Sequence, residues 1–275
     1  SFMMVIFTLV PALAPALGAG IIWLTDWRGI FAAFVIFSAI GATWLALRQA
    51  ETLPPERRRP FRPRSLAAGI REILTTPVVA IAIAALALCF GMLFATLSSI
   101  QMVFEVTFGR GDSFHLWFGA IAIVAGTSSL INATIVERLG MRVIVTGMLG
   151  AQIVASVLVN ALFWSGAVTG EAAFVVYLLW TTGLFFQAGL TLGNLNALAM
   201  EPMGHLAGLT ASVAGAIGTV LAVALAVPIG LMFDGTPRPL MLGTLVLATG
   251  AFALMRLLRR AEDETAPGPA DTAAE

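Results

Sequence analysis

Residues 77–104 read PVVAIAIAALALCFGMLFATLSSIQMVF, a run of 28 residues without a charged side chain. A transmembrane helix needs about 20 consecutive apolar residues, and a helix satisfies all of its backbone hydrogen bonds within one segment in lipid. The run is too long and too continuously apolar for a barrel strand, which would alternate in polarity over about ten residues. This stretch therefore predicts a membrane-spanning helix.

The rest of the chain repeats this pattern. Of its 275 residues, 59% are hydrophobic and 11% are charged, whereas soluble domains are about 45–50% apolar and about 25% charged. An ordinary water-soluble core is excluded. The sequence predicts an all-α integral membrane protein with eight spans, at residues 2–25, 28–48, 77–104, 114–136, 143–165, 172–200, 206–233 and 239–258.

The arginines are distributed unevenly between the two sides that these spans define. All fifteen basic residues are Arg; twelve fall on the side of the long loop at 49–76 and of both termini, and only Arg28, Arg110 and Arg238 fall on the other. Positively charged loops stay in the cytoplasm. We therefore expect both termini and the loop to be cytoplasmic, with an amphipathic surface helix at 66–74. We favour a basic loop that sets the orientation of the chain and contacts lipid over one that binds nucleic acid.

Three stretches resemble motifs of a known transporter family. Residues 14–19, APALGA, are similar to the antiporter motif Gly-Pro-x-x-Gly-Gly in the fifth helix of drug:proton antiporters of the major facilitator superfamily. Residues 51–58, ETLPPERR, resemble the start of the central loop in the bicyclomycin/chloramphenicol-resistance (Bcr/CflA) branch. Residues 133–142, ATIVERLGMR, resemble the superfamily's signature loop Gly-x-x-x-Asp-Arg-x-Gly-Arg-Arg in its second-half copy, with three departures from that pattern.

The resemblance implies a major facilitator superfamily fold, of which this chain supplies eight of the expected twelve helices. Residues 1–48 would then be the last two helices of the N-terminal half, and residues 49–76 the cytoplasmic central loop. Residues 77–258 would form the C-terminal six-helix half, and residues 259–275 a disordered acidic tail. We expect the chain to be the C-terminal part of a longer protein.

Two of the motifs receive roles from this resemblance. The small residues around the first motif are expected to form a kinked surface that packs closely against a helix of the second half and prevents proton leak, although an ordinary small-residue packing face is the alternative. The second-half signature loop is expected to gate access. The antiporter-motif residues are Ala14, Pro15, Gly18 and Ala19, and the gating-loop residues are Glu137, Arg138, Gly140 and Arg142.

Polar residues deep within spans are candidates for the transport path, because polar groups in lipid are costly and usually face the bundle interior. In each of two spans, the spacing of the polar residues places them on one face of the helix. Packing between helices is the alternative role for each residue. A further stripe in the fifth span is discounted, because the matching helix of the family is peripheral. The substrate-cavity candidates are Ser98 and Gln101 in the third span and Gln187, Thr191 and Asn194 in the sixth.

These patterns predict a secondary active transporter that exports small, partly hydrophobic, drug-like compounds in exchange for protons by alternating access. No Asp, Glu or Arg lies in the middle of a predicted span, so the resemblance implies that the proton-coupling carboxylate belongs to the four preceding helices. A metabolite or sugar exporter of the same superfamily, or a non-transporting membrane scaffold, are the alternatives.

An intramembrane enzyme is disfavoured, because the spans contain no nucleophile–base dyad, no paired Asp and no His-Glu-x-x-His zinc motif. We expect no catalytic residue, no cofactor and no metal. The expected location is the bacterial cytoplasmic (inner) membrane. The expected partners are a drug-like substrate, protons and the lipid bilayer, without nucleic acid, and the full-length protein is expected to be a monomer.

Overall fold

Helices account for all of the regular structure in the part of the chain that the computed structural model describes, namely residues 17, 18, 20–49 and 63–265, with side chains as far as Arg259. A π-helical turn, Val103–Thr107, extends the helix that ends at Met102, and a 3-10 segment, Glu201–Leu206, joins the helix that ends at Met200 to the one that begins at Ala207. The helices are α1 Trp27–Arg48, α2 Pro63–Thr75, α3 Pro77–Met102, α4 Phe114–Leu139, α5 Met141–Trp164, α6 Gly170–Met200, α7 Ala207–Leu231 and α8 Arg238–Thr265.

Seven of the eight predicted spans are confirmed as α1 and α3–α8, with ends that agree within three residues except at the end of α8. Six segments of the described chain are long and apolar enough to cross a membrane, and one of them, Gly170–Leu231, contains both α6 and α7. The first predicted span lies mostly outside the described residues, and its last residues, 20–24, are helical.

Local sequence chemistry explains where several helices begin. Asp26 caps α1, because its carboxylate accepts hydrogen bonds from the backbone N–H groups of Arg28 and Gly29. Pro77 occupies the first position of α3, where no N–H is needed. Gly140 alone separates α4 from α5, and its φ of 78° lies in the left-handed region that favours glycine. A short, sharp connection therefore joins two membrane-length helices.

Helix α3 lies at the centre of the bundle and packs against α6, α7 and α8, while α5 packs against α6 and α8, and α4 packs against α6. Its contact with α7 uses small residues: a Cβ atom at Gly218 would lie 3.4 Å from the Phe90 ring. Small residues let two membrane helices approach closely. Small residues and a threonine recur at every fourth position of α7, and all five are buried: Thr210, Ala214, Gly218, Ala222 and Ala226. In contrast, no residue of α1 is buried.

The loops that the arginine count assigns to the cytoplasm meet at one end of the bundle. A carboxylate oxygen of Glu72 on α2 lies 2.8 Å from Nε2 of His205, just before α7. Arg142 at the start of α5 donates a hydrogen bond of 3.0 Å to Glu201, just after α6. The predicted grouping of these segments on one side is therefore reproduced by their contacts.

At the opposite end of the bundle, ion pairs and hydrogen bonds also link segments that are distant in sequence. Arg110, after α3, forms an ion pair with Glu171 at the start of α6. Thr107 donates a hydrogen bond of 2.8 Å to the carbonyl oxygen of Gly235, in the loop before α8. In that loop the Thr236 hydroxyl and backbone N–H donate to Asp234 and lower the pKa of its carboxyl. This carboxylate is therefore charged at neutral pH.

Two segments outside the spans can be compared with the predictions. The amphipathic helix expected at 66–74 is present as α2. Helix α8 runs to Thr265, seven residues into the tail predicted as disordered at 259–275, so that prediction is wrong for 259–265. Arg, Ala and Glu are good helix formers, and the next proline comes only at position 267. The assignment of residues to two halves of a larger fold stays a prediction.

Candidate functional site

A crevice of about 640 Å³ opens between α3 and α7. It extends from near the middle of both helices towards the end of the bundle that carries Arg110. Several of its lining side chains, including Leu97 and Leu231, are exposed, so the crevice is open at the surface of the bundle. Its walls are Phe94, Leu97, Ser98, Ser99 and Met102 of α3, Val223, Ala226, Val227, Gly230 and Leu231 of α7, and Phe233.

The crevice is apolar, with two hydroxyl groups as its polar side chains and no charged side chain among its lining residues. The Ser98 hydroxyl donates to the carbonyl of Ala95, one turn earlier. A Cβ atom at Gly230 would lie 3.8 Å from Ser98 Oγ and 3.9 Å from Ser99 Oγ, which is ordinary van der Waals contact, so α7 passes close to both hydroxyls. Ligand sites typically combine such apolar walls with a few polar groups.

The predicted cavity residues lie in three different environments: in the crevice, exposed outside the crevice, and in the bundle interior. Ser98 lines the crevice, whereas Gln101, one turn further along α3, is exposed and is not part of its lining. Gln187 is 1% exposed, and its Nε2 donates a hydrogen bond of 2.9 Å to the Thr191 hydroxyl. The Cys89 thiol on α3 lies near both of these α6 side chains. Gln187 and Thr191 therefore lie between α3 and α6.

Asn194 makes a different contact, with an asparagine that the sequence reasoning did not select. Its Nδ2 donates 2.8 Å to Oδ1 of Asn132 on α4, and Nδ2 of Asn132 lies 3.4 Å from Oδ1 of Asn194. This amide pair joins α4 to α6. An asparagine in the middle of an apolar span was the signal that could have identified Asn132, because such a group needs a polar partner in lipid.

The polar stripe of the fifth span forms a hydrogen-bond network with α6. Trp180 Nε1 donates 3.0 Å to the Ser156 hydroxyl, which also accepts a bond of 3.2 Å from Gln152 Nε2. Asn160 donates to the backbone carbonyl of Ser156. These side chains are buried, and their contacts are those of interhelical packing. The discounting of this stripe as a substrate site stays a prediction.

The antiporter-motif residues fall at the edge of the described region. Ala14, Pro15 and Ala19 lie outside the described residues, and Gly18 is helical. No described atom lies within 4 Å of the position that a Cβ atom would take at Gly18. The close helix contact expected at this glycine has no counterpart among the described residues and stays a prediction.

The gating-loop residues lie at the turn between α4 and α5. Gly140 forms the turn, and Glu137 and Arg138 are exposed in the last turn of α4. Arg142 reaches across to Glu201 at the corner between α6 and α7. The loop is thus linked to a second helix pair through an ion pair, while its gating role stays a prediction.

Membrane-length helices packed around α3, with a crevice between two of them, define a multi-pass membrane protein. The family profile described as Major Facilitator Superfamily matches residues 1–227, and the chain belongs to that superfamily of membrane transporters rather than to a class of enzymes. The match covers α1 to α6 and most of α7.

One curated relative is the uncharacterized MFS-type transporter YdgK of Bacillus subtilis (strain 168). It is 25% identical to this chain over 229 residues, which cover 80% of the chain and 54% of the relative. The chain therefore spans about half the length of the curated relative it matches. No solved structure matches the chain.

Proposed function

We propose that this chain forms the last eight helices of a twelve-helix carrier that exports small, partly hydrophobic compounds by alternating access. The observation that carries the proposal is the apolar crevice of about 640 Å³ between α3 and α7. In secondary transporters the substrate site lies near the bilayer midplane at the interface of two repeats. The crevice runs from just beyond the middle of both helices towards the end that carries Arg110, and it is open at the surface of the bundle. We propose that the second half packs over this opening.

The chemistry of the crevice favours drug-like compounds over sugars or polar metabolites. A sugar needs several hydrogen-bond partners. If its hydroxyl groups are buried without partners, their desolvation weakens binding. The crevice offers Ser98 and Ser99 among apolar and aromatic side chains. The crevice therefore suits an uncharged, partly hydrophobic molecule better than it suits a sugar.

Proton antiport and membership of the Bcr/CflA branch are part of the same proposal, and they rest on the motifs around Pro15 and at 51–58. Within the described helices, ionisable side chains lie near the helix ends, as with Glu105, Glu137 and Glu171. We therefore place the proton-coupling carboxylate in the helices that would precede this chain. The carrier would act in the bacterial inner membrane as a monomer.

Drug susceptibility of cells that express the full-length protein tests the function directly. We expect resistance to several partly hydrophobic drugs, and we expect a protonophore to abolish the efflux of a fluorescent drug. Sugar or metabolite export without drug resistance would favour the first alternative. Normal membrane levels without any measurable transport would favour a scaffold.

The orientation of the chain gives a prediction that does not depend on the substrate. Ser65 on α2 and Asp112 after α3 are both exposed and lie in loops assigned to opposite sides. In sealed vesicles, cysteines introduced at these positions should react with a membrane-impermeant maleimide from opposite faces. Cys89 is 2% exposed and should stay unlabelled as an internal control. Labelling of both positions from one face would contradict the proposed topology.

The role of Gln187 can be separated from packing by a matched pair of variants. Gln187 and Gln152 are both buried, and each donates to a hydroxyl four residues later. Gln187→Ala in the full-length protein should change the ratio of resistance between drugs at constant protein level, because we propose that Gln187 borders the transport path. Gln152→Ala should leave that ratio unchanged. A loss in Gln187→Ala that is equal for all drugs and follows protein level would support packing alone.

A further inference from the structure

A second cavity, of about 460 Å³, lies between the first turns of α5 and the last turns of α8. It is at the end of the bundle that carries α2 and the gating loop. Its lining contains both charged and apolar side chains, and the proposed transport function gives this cavity no role. The side chains that matter are Arg142, Val143 and Thr146 of α5 and Met255, Arg256 and Arg259 of α8.

The charge of this cavity is positive. Arg256 and Arg259 are three residues apart, so their guanidinium groups leave α8 on the same face. Among the side chains that the structure describes, which end at Arg259, no carboxylate forms an ion pair with either of them. Arg142 is also present, in its ion pair with Glu201. The lining residues that the structure describes include three arginines and no acidic residue, so they would attract an anion.

The backbone of α5 adds to this preference. The cavity reaches Arg142 and Val143 in the first turn of α5. The preceding residue, Gly140, supplies no side-chain cap to the helix. Uncapped N–H groups and the positive end of the helix dipole both favour negative charge. The Thr146 hydroxyl, one turn further on, is a further hydrogen-bond donor.

The rest of the cavity is suited to an acyl chain. Met255 and Leu258 are almost fully buried behind the cavity, and the accessible apolar side chain of its lining is Val143, which is 60% exposed at the surface of a helix that we treat as membrane-spanning. The nearby Leu257 is exposed as well. A ligand would therefore have its anionic head among the arginines and its apolar part along these side chains.

We propose that this cavity binds the headgroup of an anionic phospholipid from the surrounding bilayer. Basic pockets between membrane helices are suited to such headgroups, and an arginine near an anionic membrane surface strengthens binding. A phosphodiester can accept bidentate hydrogen bonds from guanidinium groups. The inference requires only that α5 and α8 span the membrane, so it stands or falls independently of the transported substrate.

The test uses full-length protein purified in detergent, with lipid binding measured by native mass spectrometry during titration with phosphatidylglycerol or phosphatidylcholine. Phosphatidylglycerol should bind more tightly. Arg256→Gln and Arg259→Gln should each weaken its binding about fivefold, and the double variant about 25-fold. A matched double variant, Arg64→Gln with Arg71→Gln, removes two exposed charges from α2 at the same end and should change binding less than about twofold.

Three outcomes would overturn the proposal. The first is phosphatidylglycerol binding that is unchanged in the Arg256→Gln, Arg259→Gln double variant. The second is displacement of the lipid by millimolar inorganic phosphate, which would indicate a site for free anions. The third is lipid binding that appears only after residues 262–275 are deleted, which would mean that these acidic residues compete with the lipid for the arginines. Thermal unfolding of each variant in detergent should remain as in the unmodified protein.

Discussion

Phe104→Ala is expected to lower the free energy of unfolding by about 3 kcal/mol, the largest effect on stability that we anticipate from a single truncation. Phe104 is fully buried in the π-helical turn that ends α3. Its ring centroid lies 5.4 Å from that of Phe114, 5.5 Å from that of Phe174 and 6.1 Å from that of Tyr177. The variant would remove contacts that join α3 to α4 and α6.

The expected cost lies at the low end of the range for Phe→Ala in soluble cores. Lipid chains are as apolar as a protein core, so the side chain gains little from transfer out of lipid. The loss consists of ring contacts and of the cavity that remains. Unfolding of the purified protein by titration with SDS would measure it. Phe37→Ala, at a ring that is 78% exposed on α1, should change stability by less than about 0.5 kcal/mol, and an equal loss in both variants would contradict the argument.

The helices could be predicted from the sequence because their cause is local. Long apolar runs such as 77–104 predict membrane spans, and the small residues at every fourth position of α7 predict a packing face. Asp26, Pro77 and Gly140 mark helix ends through their own capping and backbone chemistry. Each of these properties depends on neighbours within one or two turns of the same helix.

The contacts between helices could not be predicted in this way, because they depend on how each helix is rotated. Asn194 has the same spacing pattern as Gln187, yet its partner is Asn132 on α4. Ser98 and Gln101 were assigned to one face of α3, but Ser98 lines the crevice and Gln101 does not. The rotation of α3 relative to α7 determines this difference, and it has no signal in the sequence of one span.

The second large effect that we expect is on transport, when the crevice is filled by a large side chain. Ser98→Trp in the full-length protein should reduce drug efflux about tenfold or more at constant protein level. The Ser98 side chain is exposed within the crevice, so an indole can enter the open volume without displacing the buried contacts of α3. It would occupy space that we assign to the substrate, and a loss of about 1.4 kcal/mol in substrate binding is already a tenfold effect. It could also hold the carrier in one access state.

Two further variants separate blockage of the crevice from other effects of the indole. Ser98→Ala removes the hydroxyl but keeps the volume open, so it should retain most of the transport activity, because the hydroxyl already donates to the Ala95 carbonyl within α3. Thr249→Trp places the same indole at an exposed position of α8, away from the crevice, and should leave efflux unchanged. Initial rates of drug efflux in inverted vesicles, normalised to protein, would measure all three. Full efflux in Ser98→Trp would show that the substrate does not pass between α3 and α7, and the proposed transport path would then have to lie elsewhere.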